Sequence, residues 1–199
     1  SGTKYTAVDA AVTAAKVDLT TAYNDAAGRT PATTVTADLG GQTLTTGVYK
    51  SASSLAVTGT LTLDAENDPN AVFIFQAGST LTSASSATIA LVNGADACNV
   101  FWQVGSSATF GTDTVFVGHV LALTSITANT RATFQGQLLA QNGAVTLDTN
   151  TITNNLCATA ASATPTASAT PGATATPSPE ERVTDSGGQL PGTDAFNWI

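Results

Sequence analysis

Between residue 6 and about residue 28, apolar side chains recur at three- and four-residue steps: Val8, Val12, Ala15, Leu19, Ala22 or Tyr23, and Ala26. That period predicts one amphipathic helix, with Gly28 as its stop. Asp9, Thr13, Lys16, Thr20 and Asn24 fall on the opposite side, so the small-residue stripe is expected to lie against a sheet. Beyond Pro31 the pattern changes to short runs of Val, Thr, Leu, Phe and Ile broken by Gly, Ser and Asn, the signature of short strands.

These runs repeat. Ser107 to Ala122 and Ser125 to Ala140 match at an offset of 18 residues, pairing Thr109 with Thr127, Thr112 with Thr130, Phe116 with Phe134, Gly118 with Gly136 and Leu121 with Leu139. A third copy follows one residue late, with Thr146 and Thr149 in the Thr-x-x-Thr positions, and an upstream copy is Thr82-Ser83-Ala84-Ser85. The lead-in from Asn70 to Ser79 recurs from Asn99 to Ser106. Such a period is too short for a helix pair or a propeller blade and fits one coil of a β-solenoid. Within a coil, Phe116, Gly118, Val120 and Ala122 alternate with Val115, Val117, His119 and Leu121, and the first set is expected to point inward. Leu121 and Leu139 then stack into an outward apolar column, which the helix would cover.

Composition narrows the chemistry. Of 199 residues, 6 are Lys or Arg, 14 are Asp or Glu and one is His, giving a formal charge of −8 and a charged fraction of 10%, against roughly 25% in an ordinary soluble domain. Six scattered cations make no basic stripe for phosphates, so no nucleic-acid partner is expected. No apolar run approaches the roughly 20 residues that span a bilayer. Cys98 and Cys157 lack metal-site spacing; they read as a disulfide, with two buried thiols as the alternative. His119 has no triad partners and reads as a surface side chain. The loop from Asp64 to Asn70 gathers three carboxylates but reads as a polar turn rather than a calcium site. Trp102 falls in the inward phase, so packing rather than sugar stacking is its expected role. No catalytic set, metal, cofactor or small-molecule substrate is expected.

What remains is hydroxyl chemistry. On neighbouring coils the pairs Thr109 and Thr112, Thr127 and Thr130, and Thr146 and Thr149, with Thr82 and Ser85 above them, would form rows about 4.7 to 4.9 Å apart. An interval of three needs a corner for both members to face outward, and Gly111, Asn129 and Asp148 occupy it. Threonine is stiff at χ1, so the array would be rigid. Its spacing is close to the oxygen repeat of ice.

The motifs Leu19 to Arg29 (LTTAYNDAAGR), Thr36 to Lys50 (TADLGGQTLTTGVYK), Asp68 to Gln76 (DPNAVFIFQ) and Cys98 to Thr109 (CNVFWQVGSSAT) resemble, in order, the microbial ice-binding protein family. The resemblance implies a mainly β fold: a right-handed, discontinuous β-solenoid of triangular section with one long α-helix packed alongside. It also implies adsorption to an ice crystal surface through one flat face, often lined by Thr-Ala/Gly-x-Thr/Asn motifs. Thr127-Ala128-Asn129-Thr130 fits that motif, while the rows at Thr109 and Thr146 depart at its second position. The expected ice-binding residues are therefore Thr82, Ser85, Thr109, Thr112, Thr127, Thr130, Thr146 and Thr149. Family members carry strand-forming sequence before the helix that this chain lacks, so N-terminal strands are expected to be missing.

The domain is expected to span residues 1–157. Residues 158–179 are almost wholly Ala, Thr, Ser and Pro and cannot bury a core, so a disordered tail over 158–199 is expected. Leu190-Pro191-Gly192-Thr193-Asp194 resembles a truncated cell-wall sorting signal. Together these features predict a secreted or cell-wall-attached monomer that binds ice. A surface adhesin or structural solenoid for a protein or glycan is the alternative.

Overall fold

A computed structural model describes residues 9–154. The chain opens with helix α1 (Ala10–Gly28). Three of its residues are threonines, poor helix formers, and each hydroxyl donates to the carbonyl one turn back: Thr13 to Asp9, Thr20 to Lys16 and Thr21 to Val17. After the helix the chain winds through six coils. The first holds β1 (Thr33–Thr34) and β2 (Thr43–Leu44). The second holds β3 (Gly47–Ser51), β4 (Leu55–Val57) and β5 (Thr60–Asp64). The third holds β6 (Phe73–Ala77), β7 (Leu81–Ser83) and β8 (Thr88–Val92). The fourth holds β9 (Val100–Val104), β10 (Ala108–Phe110) and β11 (Val115–Val117). The fifth holds β12 (His119–Ala122), β13 (Ile126–Ala128) and β14 (Thr133–Gln135). The sixth holds β15 (Leu138–Ala140), β16 (Val145–Leu147) and β17 (Thr151–Thr153).

Strand stacks on strand in parallel, giving three sheets. Sheet A runs β1-β3-β6-β9-β12-β15, sheet B runs β16-β13-β10-β7-β4, and sheet C runs β17-β14-β11-β8-β5-β2. The expected solenoid with one flanking helix is the observed fold, and Phe116, Val120, Ala122 and Phe134 are buried as the inward phase requires, whereas Val117, expected to face outward, is also buried in the interior cluster. An aromatic stack follows the solenoid's interior from coil to coil. Phe75 lies over Trp102 at 3.9 Å between ring centroids, and Trp102 meets Phe116 at 4.9 Å. Phe110 continues it, 4.5 Å from Phe116 and 5.1 Å from Phe134. Each such burial stabilises by about 1.5 to 3 kcal/mol. Trp102 Nε1 donates to the Val117 carbonyl at 2.9 Å, which satisfies the one polar atom of the ring.

The tight corner from sheet C back to sheet A is made by Gly118 and Gly136, with φ of +105° and +142°. A Cβ would meet the Val100 carbonyl oxygen at 2.6 Å from Gly118, and the Gly118 oxygen at 2.1 Å from Gly136, so only glycine lets these coils stack.

Helix α1 covers the outer face of sheet A. Ala26, Ile74 and Leu121 form the buried contact, with Leu19, Ala22, Tyr23, Val48, Phe101 and Leu139 around it. Leu121 and Leu139 are in register on β12 and β15, as the apolar column required. Gln76 Nε2 donates to the carbonyls of Ala26 and Arg29, at 2.8 and 3.0 Å, satisfying acceptors that the helix end leaves open.

In the sixth coil Val145, Leu147 and Ile152 are aligned with the buried Ile126, Ala128 and Phe134, yet are 38%, 49% and 41% exposed. No further coil stacks on them among the described residues.

Candidate functional site: the outer face of sheet B

On a strand whose inward residues are Leu81, Ala108 or Ile126, the next residue must point out. Threonine holds that position on four successive coils. Thr82 pairs with Thr109, Thr109 with Thr127, and Thr127 with Thr146; Ala56 heads the same column. Side chains therefore recur at the strand spacing of about 4.8 Å. Their hydroxyls make no hydrogen bond to protein among the described residues, and Thr82, Thr109 and Thr146 are exposed. Every hydroxyl in this column is free to bond water.

The second column expected from the sequence is not a second face-on row. Ser85, Thr112 and Thr130 lie in the corner between sheets B and C, where Ser86 N donates to the Thr112 carbonyl and Asp113 N to the Thr130 carbonyl. Thr130 Oγ1 is already engaged, donating to Asp148 at 2.5 Å. Thr149 leaves the column altogether. It occupies the left-handed corner position, with φ of +56°, that Ser86, Asp113 and Arg131 hold in the coils above. The sixth coil gains one residue before β16 and loses one after it, because Thr127 pairs with Thr146 while Thr133 pairs with Thr151. Asp148, not Thr149, thus stands below Thr130. The same corner carries the Asp113–Arg131 ion pair at 2.7 Å. The guanidinium beside Asp113 holds that carboxyl below its ordinary value, and hydrogen bonds from Thr130 and Thr149 do the same for Asp148.

A feature that the repeat alone did not reveal lies on the other side of the column. The corners from sheet A to sheet B carry a hydroxyl pair in four successive coils: Ser53-Ser54, Ser79-Thr80, Ser106-Ser107 and Thr124-Ser125. The signal was available as a hydroxyl pair preceding each Leu55, Leu81, Ala108 and Ile126. Loops 65–72 and 93–99 lengthen the upper coils and hide the period.

Sheet C offers a rival column, Thr60, Thr88, Val115, Thr133 and Thr151. Valine interrupts it. Loops 65–72 and 93–99, with Glu66, Asp68 and Asp96, also leave sheet C at its far edge, whereas sheet B is bordered by short corners alone.

His119 is not the surface side chain expected. It is 9% exposed and stacks on Phe101 at 5.3 Å between centroids. Burial pushes its pKa down, against hydrogen bonds to Gln137 and the Cys98 backbone that favour the charged form. The Asp64 loop is a turn: Asp64 Oδ1 accepts from Glu66 N and Asn93 Nδ2, and Asp68 Oδ1 from Asn70 N, each at 2.8 Å. Cys98 sits in a short 3-10 turn, Ala97–Asn99. Cys157, the stretch 158–179 and the run 190–194 lie outside the described residues.

Three parallel sheets wound into a solenoid, one sealed by a helix and another carrying a threonine column, place the chain in the class of β-solenoid proteins. The Ice-binding-like family profile matches residues 1–153, and the chain belongs to that family. It is 55% identical over 156 residues to an ice-binding protein of Nostoc sp. (strain HG1), covering 77% of this chain and 57% of that protein. It is 41% identical to ice-binding protein 1 of Shewanella frigidimarina (strain NCIMB 400), covering 75% of this chain and 17% of the relative. The chain thus spans less than two thirds of these curated relatives. Among solved structures, an ice binding protein from an Antarctic biological consortium superposes with a TM-score of 0.72 at 52% identity, covering 73% of this chain and 68% of that one. The ice-binding protein of the Antarctic ascomycete Antarctomyces psychrotrophicus gives 0.70 at 46%, covering 73% and 72%.

Proposed function

We propose that this protein adsorbs to ice through the outer face of sheet B, holding back crystal growth and recrystallisation without a catalytic step. The observation that carries the reading is the register of Thr82, Thr109, Thr127 and Thr146, four hydroxyls on one face with no hydrogen-bond partner among the described residues. Ice is a lattice of water oxygens, so recognition requires many weak contacts repeated at a fixed distance. Stacked strands supply that distance, and β-branched side chains hold each methyl and hydroxyl in place before contact. The names of the relatives above support the same reading. A secreted or cell-wall-attached location belongs to it, supported by the Ala/Thr/Ser/Pro-rich stretch 158–179 and the run 190–194.

Thermal hysteresis and ice recrystallisation inhibition by the full chain test the proposal. Both are expected of the folded chain. A folded, monodisperse chain with neither activity would contradict it and favour a solenoid that binds a protein or glycan.

A further inference from the structure

The threonine column is one residue wide, and a flat crystal face needs a second rank of contacts. The corner toward sheet C does not supply it: Asp148, which accepts from Thr130, and the Asp113–Arg131 pair beside it order water around full charges rather than in a neutral lattice. We infer that the second rank of the ice-adsorbing face is the ladder Ser54, Thr80, Ser107 and Ser125 at the corner toward sheet A. This rests on the reading of sheet B given above.

Backbone register puts these four in line. The amides of Leu55, Leu81 and Ala108 donate to the carbonyls of Thr80, Ser107 and Ser125, so each residue sits one coil below the last. Each stands one residue before its strand begins and precedes its column threonine, or Ala56, by two residues, the interval at which an extended chain returns to the same side. The two ranks together form a grid with one period set by strand stacking and the other by strand rise.

The oxygens are fixed as well as aligned. Thr80 Oγ1 donates to Ser54 Oγ at 2.8 Å, and Ser107 Oγ accepts from Ser125 N at 3.3 Å. Gly143 leaves room for the last rung: a Cβ there would meet Ser125 Oγ at 2.2 Å. A hydroxyl has one proton and two acceptor sites. The Ser107 proton and all sites of Ser125 Oγ have no hydrogen-bond partner among the described residues, so both are open to water. All four side chains are half-buried, which limits their motion. The ladder ends at Ala144, so the sixth coil contributes Thr146 alone.

The test uses the full chain and compares three double variants by the protein concentration at which recrystallisation inhibition is lost, with thermal melting to verify folding. Thr109→Tyr with Thr127→Tyr tests the face itself. Thr80→Tyr with Ser107→Tyr is expected to raise the endpoint about tenfold or more, the cost of losing a central contact cluster. Thr112→Tyr with Thr130→Tyr is expected to raise it less than about twofold. Should the bulky pair at 80 and 107 disturb folding, Thr80→Val with Ser107→Ala removes the hydroxyls without adding volume and is expected to raise the endpoint in the same direction. Loss in the 109 and 127 variant, with full activity in folded 80 and 107 variants, would overturn the ladder and leave the face standing. Full activity in the 109 and 127 variant would overturn both.

Discussion

Sheets A and B are built alike, from short parallel strands on successive coils, yet one carries a helix and the other carries none among the described residues. The difference lies in the outward positions. On sheet A they are Val48, Ile74, Phe101 and His119 in one column and Lys50, Gln76, Gln103, Leu121 and Leu139 in the next. On sheet B they are Ala56, Thr82, Thr109, Thr127 and Thr146. Apolar side chains recruit a cover because exposing them is costly, and the two glutamines bind that cover's polar groups: Gln76 the end of α1, Gln103 the Tyr23 hydroxyl. Threonine has a methyl that tolerates water and a hydroxyl that bonds it. One scaffold thus makes a folding surface and a water-facing surface by exchanging only the side chains that point out.

The largest effect that would sharpen this contrast is on stability. Leu121→Ala is expected to destabilise by about 2 to 4 kcal/mol in denaturant unfolding, since it opens a cavity beneath α1. Thr109→Val, in the same coil-to-coil geometry on sheet B, is expected to stay within about 0.5 kcal/mol. Equal losses at the two positions would break the comparison.

A smaller effect distinguishes the faces by pH. The His119 pKa is lowered from 6.5 by burial beside Phe101, so the folded protein takes up its proton later than the unfolded chain does. Stability from this group is complete above 6.5 and falls progressively as pH drops below it. The melting temperature of the natural chain is expected to decline over that range more steeply than that of His119→Gln, which copies Gln137 one coil on. Parallel declines would remove His119 from the account.

The sequence made the repeating part of the molecule legible and left the irregular part obscure, for physical reasons. An offset of 18 residues placed Thr109 over Thr127 because coils four and five are free of insertions. The inward phase of Phe116 and Phe134 followed from strand alternation. Thr149 was misaligned because compensating changes of one residue before and after β16 leave the local Thr-x-x-Thr pattern intact while moving the corner. His119 pointed outward as alternation required, but alternation does not say what lies outside a sheet. The hydroxyl corners were missed because a Ser or Thr before a strand is read as turn chemistry unless the coil register is known.

We propose that sheet B, and not sheet C, meets ice. The most direct measurement is recrystallisation inhibition by Thr109→Tyr with Thr127→Tyr, set beside Thr88→Tyr with Thr133→Tyr on sheet C, each verified as folded by melting. Loss of inhibition is expected in the first and near-full inhibition in the second, and the reverse would place the ice-contacting surface on sheet C.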